Sequence, residues 1–75
     1  MPLVQISVVE GALTSDQKSR LVAGVTEAVL SVYGEGLRPH TWVIVQDVTS
    51  GQWGIGGQCI TAEAVKELMK APVAR

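Results

Sequence analysis

Between Leu3 and Val9 the side chains alternate in character: Val4, Ile6 and Val8 fall on one side, Gln5 and Ser7 on the other, the latter flanked by Leu3 and Val9. A period of two in a stretch rich in Val and Ile predicts a β-strand. Apolar ends on its more polar side predict that both faces are covered, as in parallel sheets. From Ser15 the period lengthens. Leu21, Val25, Ala28, Val29 and Val32 recur at steps of four, three, one and three, which is one helical stripe, with Lys18, Ser19, Thr26 and Ser31 opposite. Thr14 and Gln17 have the spacing of an N-terminal capping box, and Gly34 is the residue without a Cβ that closes such a helix. Glu35 to Pro39 forms the connection onward. Thr41 to Val48, almost wholly apolar from Trp42 to Val45, predicts a second strand. A strand, a helix and a strand of these lengths make a right-handed βαβ unit, so the two strands are expected to be parallel.

Beyond Val48 the pattern breaks up. Four of the seven positions from Gly51 to Gly57 are glycine, which predicts a tight turn or short hairpin. Gly54-Ile55-Gly56-Gly57 lacks the GxGxxG spacing of a dinucleotide loop and has no strand-loop-helix unit around it. Thr61 can cap a short helix running through Met69, with Ala64, Val65, Leu68 and Met69 on one face and Pro72 as the stop. There is no internal repeat, linker or low-complexity segment, and residues 1–75 read as a single α+β domain.

Composition bears on how such a domain is stabilised. A chain of 75 residues buries only roughly 60% of its unfolded surface, and domains this small need disulfides, a metal or oligomerisation. Cys59 is the only cysteine and His40 the only histidine, which excludes a disulfide and makes no ligand set for a metal. With 47% hydrophobic and 17% charged residues, the chain carries more apolar surface than one copy can hide, so a homo-oligomer is expected. Six basic and seven acidic residues, scattered to a net charge of -1, give no face for nucleic acid. No apolar run approaches the roughly 18 residues of a membrane span, and the N-terminus lacks the features of a secretory signal. A cytoplasmic protein is expected.

Candidate chemistry begins at the N-terminus. Removal of Met1 exposes the secondary amine of Pro2 at the start of the first strand. An N-terminal amine titrates near about 8 and needs only a small downward shift, such as an apolar pocket provides, to act as a base at neutral pH. Proline follows methionine in many proteins, so Pro2 alone does not establish this role. Cys59 has no cationic neighbour in sequence and reads as a buried or inert thiol. Trp42 opens an apolar strand and reads as core or subunit interface. Trp53 can equally line a pocket or anchor an interface.

The Pro2-Leu3-Val4-Gln5-Ile6 opening, the Glu10-Gly11 step, the Asp16-Gln17-Lys18 helix start and the Trp53-Gly54-Ile55-Gly56-Gly57 turn stand in one ordered series from Pro2 to about Gln58. Together they resemble the 4-oxalocrotonate tautomerase family. The resemblance implies a β-α-β protomer that pairs into a four-stranded sheet with helices on one face. It also implies assembly from dimers, commonly into a hexamer, and a cofactor-independent isomerase with Pro2 as catalytic base. In that chemistry the amine removes a proton from a small enol or unsaturated keto acid and returns it elsewhere on the conjugated system.

The same resemblance assigns Trp53 to the aromatic position beside the proline. Members that act on the namesake diacid carry an arginine after the Glu-Gly step and another at the start of the second strand. Here those places read Ala12 and Trp42, and neither grips a carboxylate as a guanidinium does. Arg38, just before the second strand, is the nearest replacement, with His40 beside it. The expected site is therefore Pro2 as base, with Trp53, Arg38, Trp42 and Val9 around the substrate and no metal or cofactor. Two other readings are open. A cationic Pro2 can serve as general acid in hydration or dehalogenation of an unsaturated acid, with Glu10 as the carboxylate that activates water. Alternatively, the chain is a noncatalytic oligomeric binding protein that kept the fold and lost the arginines.

Overall fold

A computed structural model describes residues 1–70. Its elements run β1 (Leu3–Val9), α1 (Ser15–Tyr33), a 3-10 turn (Glu35–His40), β2 (Trp42–Val48), β3 (Trp53–Ile55), β4 (Gln58–Ile60) and α2 (Ala62–Lys70). The expected stop at Pro72 lies outside the described residues. β1 and β2 pair in parallel, from Leu3 opposite Trp42 to Val9 opposite Val48, while β3 and β4 form an antiparallel hairpin. The chain is thus the α+β, β-α-β arrangement that the alternation and the helical stripe predict.

Local chemistry explains the boundaries. The Thr14 side chain accepts from the Gln17 N–H and the Gln17 side chain accepts from the Thr14 N–H, a complete capping box. At the other end Gly34 adopts φ 92° and its N–H donates to the Leu30 carbonyl at 2.8 Å, a backbone conformation that favours glycine. The Thr41 hydroxyl donates to the Leu37 carbonyl, so Thr41 closes the 3-10 turn and β2 starts one residue later than its pattern suggests. Gly56 and Gly57 both take positive φ, 58° and 85°, as a two-residue hairpin loop of the type I′ kind requires.

α1 covers one face of the β1–β2 pair. Lys18 Nζ reaches Asp47 Oδ2 at 2.9 Å, and Asp47 shares its face with Val43 and Val45 and, across the ladder, with Val4, Ile6 and Val8. Those apolar residues are all half-buried. The opposite face is open in the single chain. Leu3 and Trp42, neighbours across the ladder, are 54% and 58% exposed, contrary to the expectation that both faces are covered; of the two places expected for Trp42, core or subunit interface, it is not in the core of its own chain. One crossover helix can cover only one face, and Trp53 of β3 with Ala62 and Val65 of α2 pack at the Val9 end of β1 instead of lying over the sheet.

The covered side of α1 also differs from the expected stripe. Leu21, Val22, Val25, Thr26 and Val29 are half-buried and Leu30 is buried, whereas Ala28 is exposed and Val32 is 85% exposed. The face is centred on the 18-22-26-30 row. Two polar residues occupy it because each has a partner: Lys18 pairs with Asp47, and the Thr26 hydroxyl donates to the Val22 carbonyl at 2.8 Å. Among the described residues only Val9, Ala12, Leu30 and Ala62 are buried hydrophobics. That core is small for the apolar content of the chain.

Candidate active site

The residues singled out in the sequence gather at two ends of one strand. At the N-terminal end of β1, the half-buried Pro2 accepts at its carbonyl from the Trp42 N–H at 3.0 Å. This bond extends the parallel ladder by one step and brings the Trp42, His40 and Arg38 segment to the proline's end of the sheet. The Arg38 guanidinium is engaged there on its own side of the chain. Its Nη2 donates to Glu27 Oε1 on α1 at 2.8 Å, and its Nε and Nη2 donate to Glu35. The hydrogen bond from Arg38 holds the Glu35 carboxyl below its ordinary value, and bonds to Glu35 and then Glu27 raise the arginine further above its own. His40 is exposed.

At the C-terminal end of β1 lies an apolar cavity of about 340 Å³, bordered by Val9, Ala12, Trp53, Ile60, Val65 and Leu68 among others. Three local features build it. Gly11, at φ 85°, turns the chain so that the Ala12 N–H donates to the Val9 carbonyl at 3.1 Å. The Gly56-Gly57 turn folds β4 back so that Ile60 stands opposite Trp53. The Ser50 hydroxyl accepts from the Ala62 N–H at 2.9 Å, and the Thr61 hydroxyl from that of Ala64, two bonds that fix the start of α2. Val9, Ala12 and Ala62 form a buried cluster on which Trp53 and Val65 pack.

Val9 and Trp53 are therefore brought together, but Trp53 and Pro2 are not. Seven strand steps separate Pro2 from Val9, about 23 Å at the rise of an extended chain. Glu10 is exposed just beyond Val9. Cys59 is exposed, not buried, in the middle of the three-residue β4 and opposite Gly54, which has no side chain to cover it. Val65 and Leu68 were legible only as a helix face. Their place on the cavity follows from the Ser50–Ala62 bond, which no local pattern announces. Leu68 and Met69 remain largely exposed, so Leu68 forms a rim, not a wall. Among the described residues no group of His, Cys, Asp or Glu could hold a metal ion, and no helix is long and apolar enough to cross a membrane.

The tautomerase enzyme family profile matches residues 2–63. The chain belongs to the tautomerase family. This tautomerase-family chain is 38% identical over 61 residues to a probable tautomerase of Dickeya dadantii, covering 81% of this chain and 90% of that one. It is 33% identical over 66 residues to a probable tautomerase of Campylobacter jejuni, covering 88% and 93%. Its fold is similar to a solved 4-oxalocrotonate tautomerase isozyme from Methylibium petroleiphilum, with TM-score 0.69 and 34% identity over 85% of this chain and 97% of that one. A heterohexameric 4-oxalocrotonate tautomerase from Chloroflexus aurantiacus is also similar, with TM-score 0.69 and 25% identity over 84% and 95%.

Proposed function

We propose that this tautomerase-family chain is a cofactor-independent isomerase of small enol or unsaturated keto acids, with Pro2 as general base and the active site shared between two copies. The supporting observation is the separation of Pro2 from the Trp53 cavity along β1. The outer edge of β1 has no strand partner among the described residues, so a second copy can pair there. If the two β1 strands run antiparallel about a twofold axis between Gln5 and Ile6, Pro2 of each meets Val9 of the other. The result is a four-stranded sheet and two identical sites. Further contact between such dimers would cover the open face carrying Leu3 and Trp42.

In each shared site the apolar wall of Val9 and Trp53 disfavours the charged form of the amine and keeps Pro2 a base near neutral pH. The amine takes a proton from the enol hydroxyl or from carbon, and the resulting ammonium returns it at the other end of the conjugated system, so nothing is consumed. Met1 must be gone, because an acylated proline nitrogen has no basic lone pair. The test is intact mass of the native-start protein, followed by enol-keto conversion of phenylpyruvate or a 2-hydroxydienoate. Loss of Met1 with a drop in kcat/KM of about a hundredfold or more in Pro2→Ala is the expected result. Unchanged activity in Pro2→Ala overturns the mechanism.

A further inference from the structure

We infer that the Trp53 cavity takes the uncharged, ring-bearing or alkyl end of a monocarboxylic enol or keto acid and rejects the second carboxylate of a diacid. The inference rests on the reading of Pro2 as base and assigns the part of the substrate that points away from it. The lining supplies no charged side chain. Ala12 is only 6% exposed and forms part of the buried cluster with Val9 and Ala62, so the floor of the cavity offers methyl groups where an anion would need a donor. The Trp53 face and the branched side chains of Val9, Ile60 and Val65 suit a flat apolar group.

Charges around the cavity do not compensate. Glu10, Lys66 and Glu67 adjoin the lining in sequence, and all three are exposed. Two are anions, and Glu67 holds the nearby Lys70 at 3.5 Å. A carboxylate carried into the cavity would leave water without gaining a partner from the lining. The single carboxylate of the substrate therefore stays at the mouth, on the side where the second copy brings Pro2. A volume of about 340 Å³ lies near the small end of the range for ligand cavities and is enough for a ring.

Calorimetric titration of the native-start protein with cinnamate and with trans,trans-muconate tests this, because the two share a conjugated acid and differ in having a ring or a second carboxylate. Cinnamate is expected to bind at least about tenfold more tightly. Leu68→Lys, at a rim position 71% exposed and so tolerant of substitution, brings a cation to the cavity and is expected to reduce that preference several-fold. Muconate binding as tightly as cinnamate in the wild type overturns the inference, as does a preference that Leu68→Lys leaves unmoved. Cinnamate preference together with no turnover of either an aryl or a dienoate enol removes the tautomerase reading and still supports the assignment of the cavity.

Discussion

Pro2 and Trp53 stand at opposite ends of β1, the first tied to Trp42 by a 3.0 Å backbone hydrogen bond and the second packed on Val9, Ala12 and Ala62. Neither can serve the other within one chain. If Pro2 and the Trp53 cavity form one site, as proposed, that site depends on how copies meet.

Subunit complementation measures that directly. Pro2→Ala and Trp53→Ala homomers are both expected to lose most activity. Unfolded together and reassembled in equal amounts, they should recover about a quarter of the wild-type sites, since half the sites draw Pro2 from an intact chain and half of those draw Trp53 from one. A site contained in one chain predicts no recovery beyond the sum of the parents.

Arg38 connects the 3-10 turn to α1 through Glu35 and Glu27. The Glu35 carboxyl is depressed from its ordinary 4.5 by the hydrogen bond from Arg38. The stabilisation from that pair is therefore complete above this value and is lost as the pH falls through the lower, folded one. Arg38→Ala should lower Tm near neutral pH, with the difference from wild type shrinking as the pH falls below 4.5. Both carboxylates hold the guanidinium, so KM is expected to change by less than about threefold. A rise of tenfold or more would place Arg38 on the substrate.

The Gly56-Gly57 turn sets the Trp53–Ile60 pairing. A Cβ built at Gly57 meets nothing within 4 Å, but the residue sits at φ 85°, so substitution is penalised by backbone conformation and not by contact. Gly57→Val should cost about 1–2 kcal/mol in denaturant unfolding at fixed protein concentration, and Gly57→Asn distinctly less. Cinnamate binding should weaken in the same order, because the hairpin carries Trp53 to the cavity.

Much of the fold was legible because its determinants are local. The Thr14–Gln17 box, the Gly34 terminus and the alternation from Leu3 to Val9 each act within a few residues, and each fixes an element where it was expected. The covered side of α1 was less legible. Val32 looked like part of its stripe and lies in solvent, while Lys18 and Thr26 looked like solvent-facing residues and lie toward the sheet. A hydrophobicity pattern cannot register that Asp47, twenty-nine positions away, gives Lys18 a partner. Leu3 and Trp42 likewise read as covered because apolar content marks a surface that must be hidden, without saying whether the same chain or another hides it.

The sequence by itself determined the order of elements, the parallel β-α-β crossover, the hairpin glycines and the family, because periodicity and turn chemistry are written in neighbouring residues. Only the tertiary structure decided that Val9 and Trp53 share a cavity, that Arg38 is held by Glu27 and Glu35, and that Pro2 lies at the far end from the aromatic wall. Those relationships depend on the length and direction of β1. A strand separates its two ends by its full extended length, and closing that gap takes a second strand running the other way.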